Sequence, residues 1–256
     1  MSRAGRAANL ALGLLSLAGC ASVPREPAAR AEFKANNDPL EPLNRRVFQV
    51  NLAVDRVLIK PLAQGYRRAL PQPVRDALRH FLDNLEEPLV MANCILQGRF
   101  KATGITAGRF AVNTTFGVVG LSDAAVAWKL PRQVGDFGQT LWAWGAGEGP
   151  YLIVPVFGPL TPRDGIGQGV DILFDPLRFV VRNQDIPSGV TAGRVVVDGL
   201  DQRARSLDTL DEIQRESIDY YASLRSLYRQ NRAAQLQGAK AATTLPPADF
   251  YDDSGR

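Results

Sequence analysis

The sequence predicts a mainly α-helical protein whose helices are joined by irregular, Gly- and Pro-rich connections. Three observations carry that expectation. Apolar residues recur at helical spacing through long stretches of the chain, as in Val74, Ala77, Leu78, Phe81, Leu82 and Leu85. Proline and glycine punctuate those stretches near their ends, with Pro61, Pro88 and Gly98 the plainest cases. An apolar region that cannot form a regular helix, Leu152 to Leu160, is broken by Pro155, Gly158 and Pro159.

The first element is a signal. Arg3 and Arg6 precede an apolar stretch from Ala7 to Ala18, and small residues lead into Leu17-Ala18-Gly19-Cys20, a lipobox. The stretch is 12 residues long, whereas crossing a bilayer takes roughly 20. Residues 1–19 are therefore expected to be cleaved, leaving Cys20 as an acylated first residue that carries diacylglycerol and an N-acyl chain. Each buried methylene contributes about 0.8 kcal/mol, and two or more chains hold a protein stably on a membrane. Ala21 stands where bacterial lipoproteins kept at the inner membrane have Asp, which points to the outer membrane. Residues 20–37 read as the acylated N-terminus and a tether, Ser22 to Lys34 being flexible and rich in Ala, Pro, Arg and Glu.

The body follows from Asp38 to Arg232. Asn44 to Ile59 reads as a helix stopping before Pro61, with Val47, Val50, Val54 and Val57 at mostly helical spacing. Pro73 to Glu86 carries one apolar stripe, opposite a face of Arg75, Asp76, Arg79, His80, Asp83 and Asn84. Pro88 suits the first turn of a new helix, with Glu86 and Glu87 near its positive end. That helix, Leu89 to Gln97, is almost wholly apolar, and Gly98 is its C-cap. Phe100 to Thr115 continues as a helix, and the glycines and Asp of Phe116 to Trp128 make a tight bend. The glycine-rich Ala143 to Tyr151 and the broken run after it read as extended chain lying across helices. Thr161 and Pro162 start another helix. Gly189 to Arg203 and Asp208 to Arg232 are helical, and residues 233–256 are expected to be a disordered tail.

Composition narrows the function. Of the formal charge of +4, Arg3 and Arg6 leave with the signal, so a body near +2 gives no case for nucleic acid. With Cys20 acylated, Cys94 is the only thiol left and no internal disulfide can form. It is expected to be a small buried hydrophobe. One histidine, His80, and one free thiol make zinc improbable. There is no Gly-x-Ser-x-Gly elbow, no Walker A sequence and no complete dinucleotide fingerprint. Asp164, Asp171 and Asp175 lack EF-hand spacing and suit capping or surface charge. No catalytic function, no cofactor and no metal are expected.

Ordered motifs carry a family likeness. Asp38-Pro39-Leu40-Glu41-Pro42-Leu43-Asn44-Arg45, Asn84-Leu85-Glu86-Glu87-Pro88 and Leu96-Gln97-Gly98 come first. Arg109 to Thr114, then Gly117, Gly120 and Asp123, and finally Phe137 to Leu141, Gly149-Pro150-Tyr151 and Arg163-Asp164 follow in order. The chain thus resembles the MlaA (VacJ) lipoproteins of Gram-negative outer membranes. The resemblance implies a ring-like bundle of amphipathic helices in the inner leaflet of the outer membrane. It further implies a passive channel that moves misplaced phospholipids to a periplasmic MlaC-type carrier, and binding to a trimeric porin. Asn113, Thr114 and Asp123 are read either as capping residues or as channel wall, and Gly117 and Gly120 as gate hinges. Phe48 to Asn51 could border the channel, Phe48 being equally suited to core packing. Two rivals remain open: a lipoprotein that scaffolds porins without moving lipid, and a lipid hydrolase.

Overall fold

Two prolines placed by the sequence at helix boundaries lie inside continuous helical rods. The structure, a computed structural model, describes residues 26, 27, 30, 33, 36–177 and 189–241. Cys20 and the signal lie outside the described residues. The first rod joins α1 (Glu41–Val54), a π-helical turn (Asp55–Ile59) and α2 (Lys60–Ala69). The expected stop before Pro61 is therefore corrected. In the π turn the Lys60 N–H reaches back five residues to the Asp55 carbonyl, and this wider turn makes room for a proline ring. The second rod is α3 (Gln72–Leu96), a single helix with Pro88 in its interior rather than two helices. An interior proline costs about 3 kcal/mol or more. Side-by-side packing on α4 (Phe100–Thr115) offsets that loss.

Gly98 ends α3 as the sequence suggests. Its φ is +71°, and the Gly98 and Arg99 N–H groups bond back to Ile95 and Cys94 carbonyls, each at 2.9 Å, a Schellman closure. Phe116 to Trp128 is a chain of turns with a 3-10 turn at Ala124–Val126. Then come α5 (Phe137–Ala143), β1 (Leu152–Val154), β2 (Gly158–Leu160) and α6 (Pro162–Leu173). The segment read as plain extended chain is thus an antiparallel hairpin, with Leu152 opposite Leu160. The α5 helix was also not foreseen. Thr161 caps α6 by accepting the Asp164 N–H at 3.3 Å. Where α5 and α6 cross, a side chain on Gly167 would sit 2.3 Å from the Gly138 nitrogen, so only glycine fits.

The C-terminal half holds α7 (Gly189–Arg205), α8 (Leu207–Glu216) and α9 (Tyr220–Ala241). The single helix expected over Asp208 to Arg232 is broken because Ser217 is extended and Asp219 caps a new start, accepting the Ala222 N–H at 3.1 Å. The expected tail is helical as far as Ala241, and residues 242–256 lie outside the described residues. In the expected tether, Pro27, Arg30, Phe33 and Asn36 are helical, and the Arg30 N–H bonds to the Glu26 carbonyl at 2.9 Å. Alanine-rich sequence after a proline favours that conformation over a flexible one.

Neighbouring helices pack round a closed circuit. The order is α1, α2, α7, α3, α5, α9 and back to α1, which makes the mainly helical body ring-like. The last joint is polar. Along one face of α9, Tyr221, Arg225, Tyr228 and Arg232 follow the spacing of a helical stripe. Tyr221 donates to Asp38, and Arg225 reaches Asp38 at 2.7 Å and Glu41 at 3.0 Å. Tyr228 donates to Asp164 at 3.1 Å, while Arg232 bridges Asp136 and Asp164, each at 2.7 Å. Beside them Phe48, Tyr151, Ile153 and Tyr221 form a small apolar core.

This clasp makes stability depend on charge. Arg232→Met strips two carboxylates of their partner and should cost about 3–5 kcal/mol, read from denaturant unfolding in detergent. A loss below 1 kcal/mol, roughly that of an exposed pair, would contradict it. Burial opposes ionisation of Asp164, but Arg232 and Arg163 outweigh it and hold the carboxyl below its ordinary 3.8. Its contribution is therefore complete above that value and lost as pH falls through the lower folded value. Helical circular dichroism should hold on acidification to pH 3.8 and weaken below it, and a transition confined to higher pH would count against this assignment.

Candidate functional site

The polarity of the molecule is inverted. Phe100, Phe116, Phe157 and Phe174 are between 61% and 73% exposed, and Trp128 and Trp144 are close behind. Asp38, Glu87, Arg109, Asn113, Arg163, Asp164 and Arg225 are buried. A protein surrounded by water rarely exposes large apolar patches, and here Phe116 and Trp128 lie side by side with ring centroids 5.8 Å apart. Burying a Phe or Leu side chain away from water is worth about 1.5–3 kcal/mol, a gain these exposed residues forgo in water. No helix among the described residues is long and apolar enough to cross a membrane.

Inside, several of the polar groups pair with one another. On α4, Arg109 donates through Nε to Glu87 at 2.9 Å, through Nη2 to Asp123 at 2.9 Å, and through Nη1 to the Leu130 carbonyl at 2.7 Å. Asn113 donates to Asp123 at 3.1 Å and accepts the Ala125 N–H at 2.8 Å. One buried guanidinium thus ties α3 and α4 to the turns that follow. Burial works against the Arg109 charge, and Asp123 and Glu87 more than restore it. Burial also raises the Glu87 carboxyl, against the pull of Arg109. Glu87 Oε2 has no hydrogen-bond partner among the described residues.

The turns sit tightly on this network. Asn84 donates to Thr114 at 3.1 Å. A side chain on Gly117 would lie 2.2 Å from the Ser122 carbonyl oxygen, and one on Gly120 (φ +89°) would lie 2.6 Å from the Asn84 Cβ. These glycines are sites of close approach. Between them Val118 and Val119 have φ of 54° and 58°, which is costly for β-branched residues, and both project outward. The structure thus brings Asn113, Thr114, Gly117, Gly120 and Asp123 together.

Phe48 and Asn51 lie elsewhere, on α1. Phe48 is core, with ring centroids 5.6 and 5.5 Å from Tyr220 and Tyr221. Asn51 and Asn44 hold the hairpin backbone as a neighbouring strand would. Asn44 bonds the Tyr151 carbonyl (3.0 Å) and Ile153 N–H (2.9 Å), and Asn51 bonds the Val154 carbonyl (3.0 Å) and Val156 N–H (2.9 Å). Their seven-residue spacing was the available signal. Glu87 and Asn84, read as a helix-end charge and a solvent-face residue, are buried because α4 and its turns cover them. Asp164, Asp171 and Asp175 serve separate partners: Arg232, the Phe137 N–H at 2.9 Å, and Arg194 at 2.6 Å. Asp164 is buried rather than surface charge. Among the described residues no group of three or more His, Cys, Asp or Glu could hold a metal. Cys94 is buried and free, and burial pushes its thiol up.

Comparison with known proteins agrees with this architecture. A family model described as MlaA lipoprotein matches residues 36–235. The chain is 36% identical over 229 residues to the intermembrane phospholipid transport system lipoprotein MlaA of Shigella flexneri, covering 88% of this chain and 86% of the relative. It is 30% identical over 233 residues to the protein of that description in Haemophilus influenzae, covering 90% and 89%. A solved structure from work on the structural basis for maintenance of bacterial outer membrane lipid asymmetry superposes with a TM-score of 0.69 at 35% identity. It covers 78% of this chain and 98% of its own. The chain belongs to the MlaA lipoprotein family.

Two substitutions separate the roles in the inner network. Arg109→Met leaves Glu87 and Asp123 uncompensated and should cost about 3–5 kcal/mol. Glu87→Gln should cost under about half as much, because Asp123 still holds Arg109 and burial already disfavours the carboxylate. Denaturant unfolding of both variants in detergent checks the ordering, and equal losses would contradict it.

Proposed function

We propose that this member of the MlaA lipoprotein family is an outer-membrane component of an intermembrane phospholipid-transport system. It removes mislocalised phospholipids from the outer leaflet and so maintains lipid asymmetry. The inverted polarity is the observation that carries this reading. Acyl chains of the inner leaflet bathe the exposed aromatic and aliphatic side chains, and backbone groups are satisfied within the helices. Headgroups pass through the interior of the ring, where polar side chains replace water. Asn113, Thr114 and Asp123 brace the wall of that passage from behind, since their polar atoms are engaged with one another, with Asn84 and with Arg109.

The protein acts passively and without catalysis or a cofactor, with direction supplied by its partners. Those partners are a trimeric porin in the membrane and a soluble MlaC-type carrier on the periplasmic side. Cys20 carries the acyl chains that deliver the protein to the outer membrane and hold its periplasmic face in register with the carrier. The apolar surface then adds its own attachment.

Deletion of the protein should raise phospholipid in the outer leaflet, measured by labelling exposed phosphatidylethanolamine on whole cells. The wild-type chain should reverse the rise, and a Cys20→Ala copy should not. An unchanged outer leaflet on deletion would defeat the transport reading and leave porin scaffolding in its place. Release of lysophospholipid by the purified chain would replace it with hydrolysis.

A further inference from the structure

Resting on that transport reading, we propose that the cleft beneath the Gly145–Gly147 loop is a subsite for a zwitterionic phospholipid headgroup. Arg163 takes the phosphodiester and Glu148 the ammonium. The cleft has a volume of about 320 Å³ and is lined by Trp142, Gly145, Gly147, Glu148, Arg163 and Leu236, a size suited to a small ligand.

Two charged groups of opposite sign, each with an atom left without a partner among the described residues, line it. Arg163 is 95% buried, yet among the described residues its guanidinium is engaged only through Nε, at 3.2 Å from Asp164. Asp164 is already shared with Arg232 and Tyr228. Arg163 Nη2 has no partner among the described residues, and a buried donor left unmatched favours any ligand that brings an acceptor. Glu148 accepts from Asn37 at 2.9 Å and Arg229 at 3.4 Å, both through Oε1. No contact among the described residues engages Oε2. The Arg163 N–H lies 3.4 Å from the Glu148 carbonyl oxygen, so the two side chains leave adjacent pieces of backbone.

A cleft offering one spare donor and one spare acceptor of opposite charge complements a zwitterion. Free phosphate would meet the Glu148 carboxylate as a like charge. An anionic headgroup such as phosphatidylglycerol would satisfy Arg163 alone. Trp142 and Leu236 add apolar lining for the glycerol portion. A side chain built on Gly145 or Gly147 meets nothing within 4 Å, so a larger residue at Gly147 has room to enter the space these glycines leave.

The test uses the full-length acylated chain in detergent, with binding read by native mass spectrometry. The probes are dibutyroyl-phosphatidylethanolamine, dibutyroyl-phosphatidylglycerol, inorganic phosphate and dibutyroylglycerol. The phosphatidylethanolamine should bind best and dibutyroylglycerol worst. Arg163→Met should weaken phosphatidylethanolamine binding by about tenfold or more, as expected for loss of a charge-assisted contact. Glu148→Gln should abolish the preference over phosphatidylglycerol. Should Arg163→Met fail to fold, Gly147→Val narrows the cleft without touching an ion pair, and it should weaken binding likewise. Unchanged binding in folded Arg163→Met or in Gly147→Val would overturn the subsite, and so would phosphate binding as tightly as the lipid. If deletion disturbs outer-leaflet lipid while these variants bind as wild type, only the subsite falls. If deletion leaves the leaflet unchanged, the transport reading falls whatever the variants bind.

Discussion

Buried ion pairs between α9 and distant segments close the ring. Helix α9 reaches back over a hundred and eighty residues to Asp38, and its Arg225 and Arg232 grip carboxylates from three separate segments. Among the described residues the buried apolar clusters that could do this are small, one of them only Ala63, Ala204 and Leu207 with Tyr66 and Leu200 beside it. The other is Phe48, Tyr151, Ile153 and Tyr221 with a few half-buried neighbours. Apolar side chains that would build a core in a water-soluble domain are instead on the outside. Charge pairs out of water are costly unless matched, and here Asp38, Arg109, Asp164 and Arg225 each have more than one polar partner.

The same rule explains the wall between α3 and α4. A guanidinium with three separate acceptors fixes the turns after α4 in one arrangement, and Gly117 and Gly120 allow the chain to come close enough for that. The result is a rigid polar interior under turns whose outward residues, Phe116, Val118, Val119 and Trp128, are apolar. On the transport proposal, such a surface would rest in acyl chains while the polar interior would receive headgroups.

Helices with a clean stripe were legible in the sequence, as were the Gly98 cap, the Thr161 cap and the bend after Thr115. Family membership was legible from ordered motifs. Boundaries at Pro61 and Pro88 were misread because proline is a local signal, and a π turn or extensive packing overrides it. The Arg–carboxylate pairs escaped notice because nothing local marks a partner a hundred residues away. Asn84 and Glu87 look like surface residues until α4 is laid over them. The hairpin was hidden for a similar reason. Its backbone is completed by Asn44 and Asn51, which belong to a helix.

The claim most worth testing is that the exposed apolar surface lies in acyl chains. Nitroxide labels placed singly at Phe116, Trp128, Phe157 and Phe174 through Cys substitutions, in a Cys94→Ser background reconstituted into phospholipid bilayers, measure this directly. The account predicts greater collision with dissolved oxygen than with a water-soluble nickel chelate at all four positions, and the reverse at Arg46 on the exposed polar side of α1. Greater collision with the nickel chelate at the four apolar positions would contradict it.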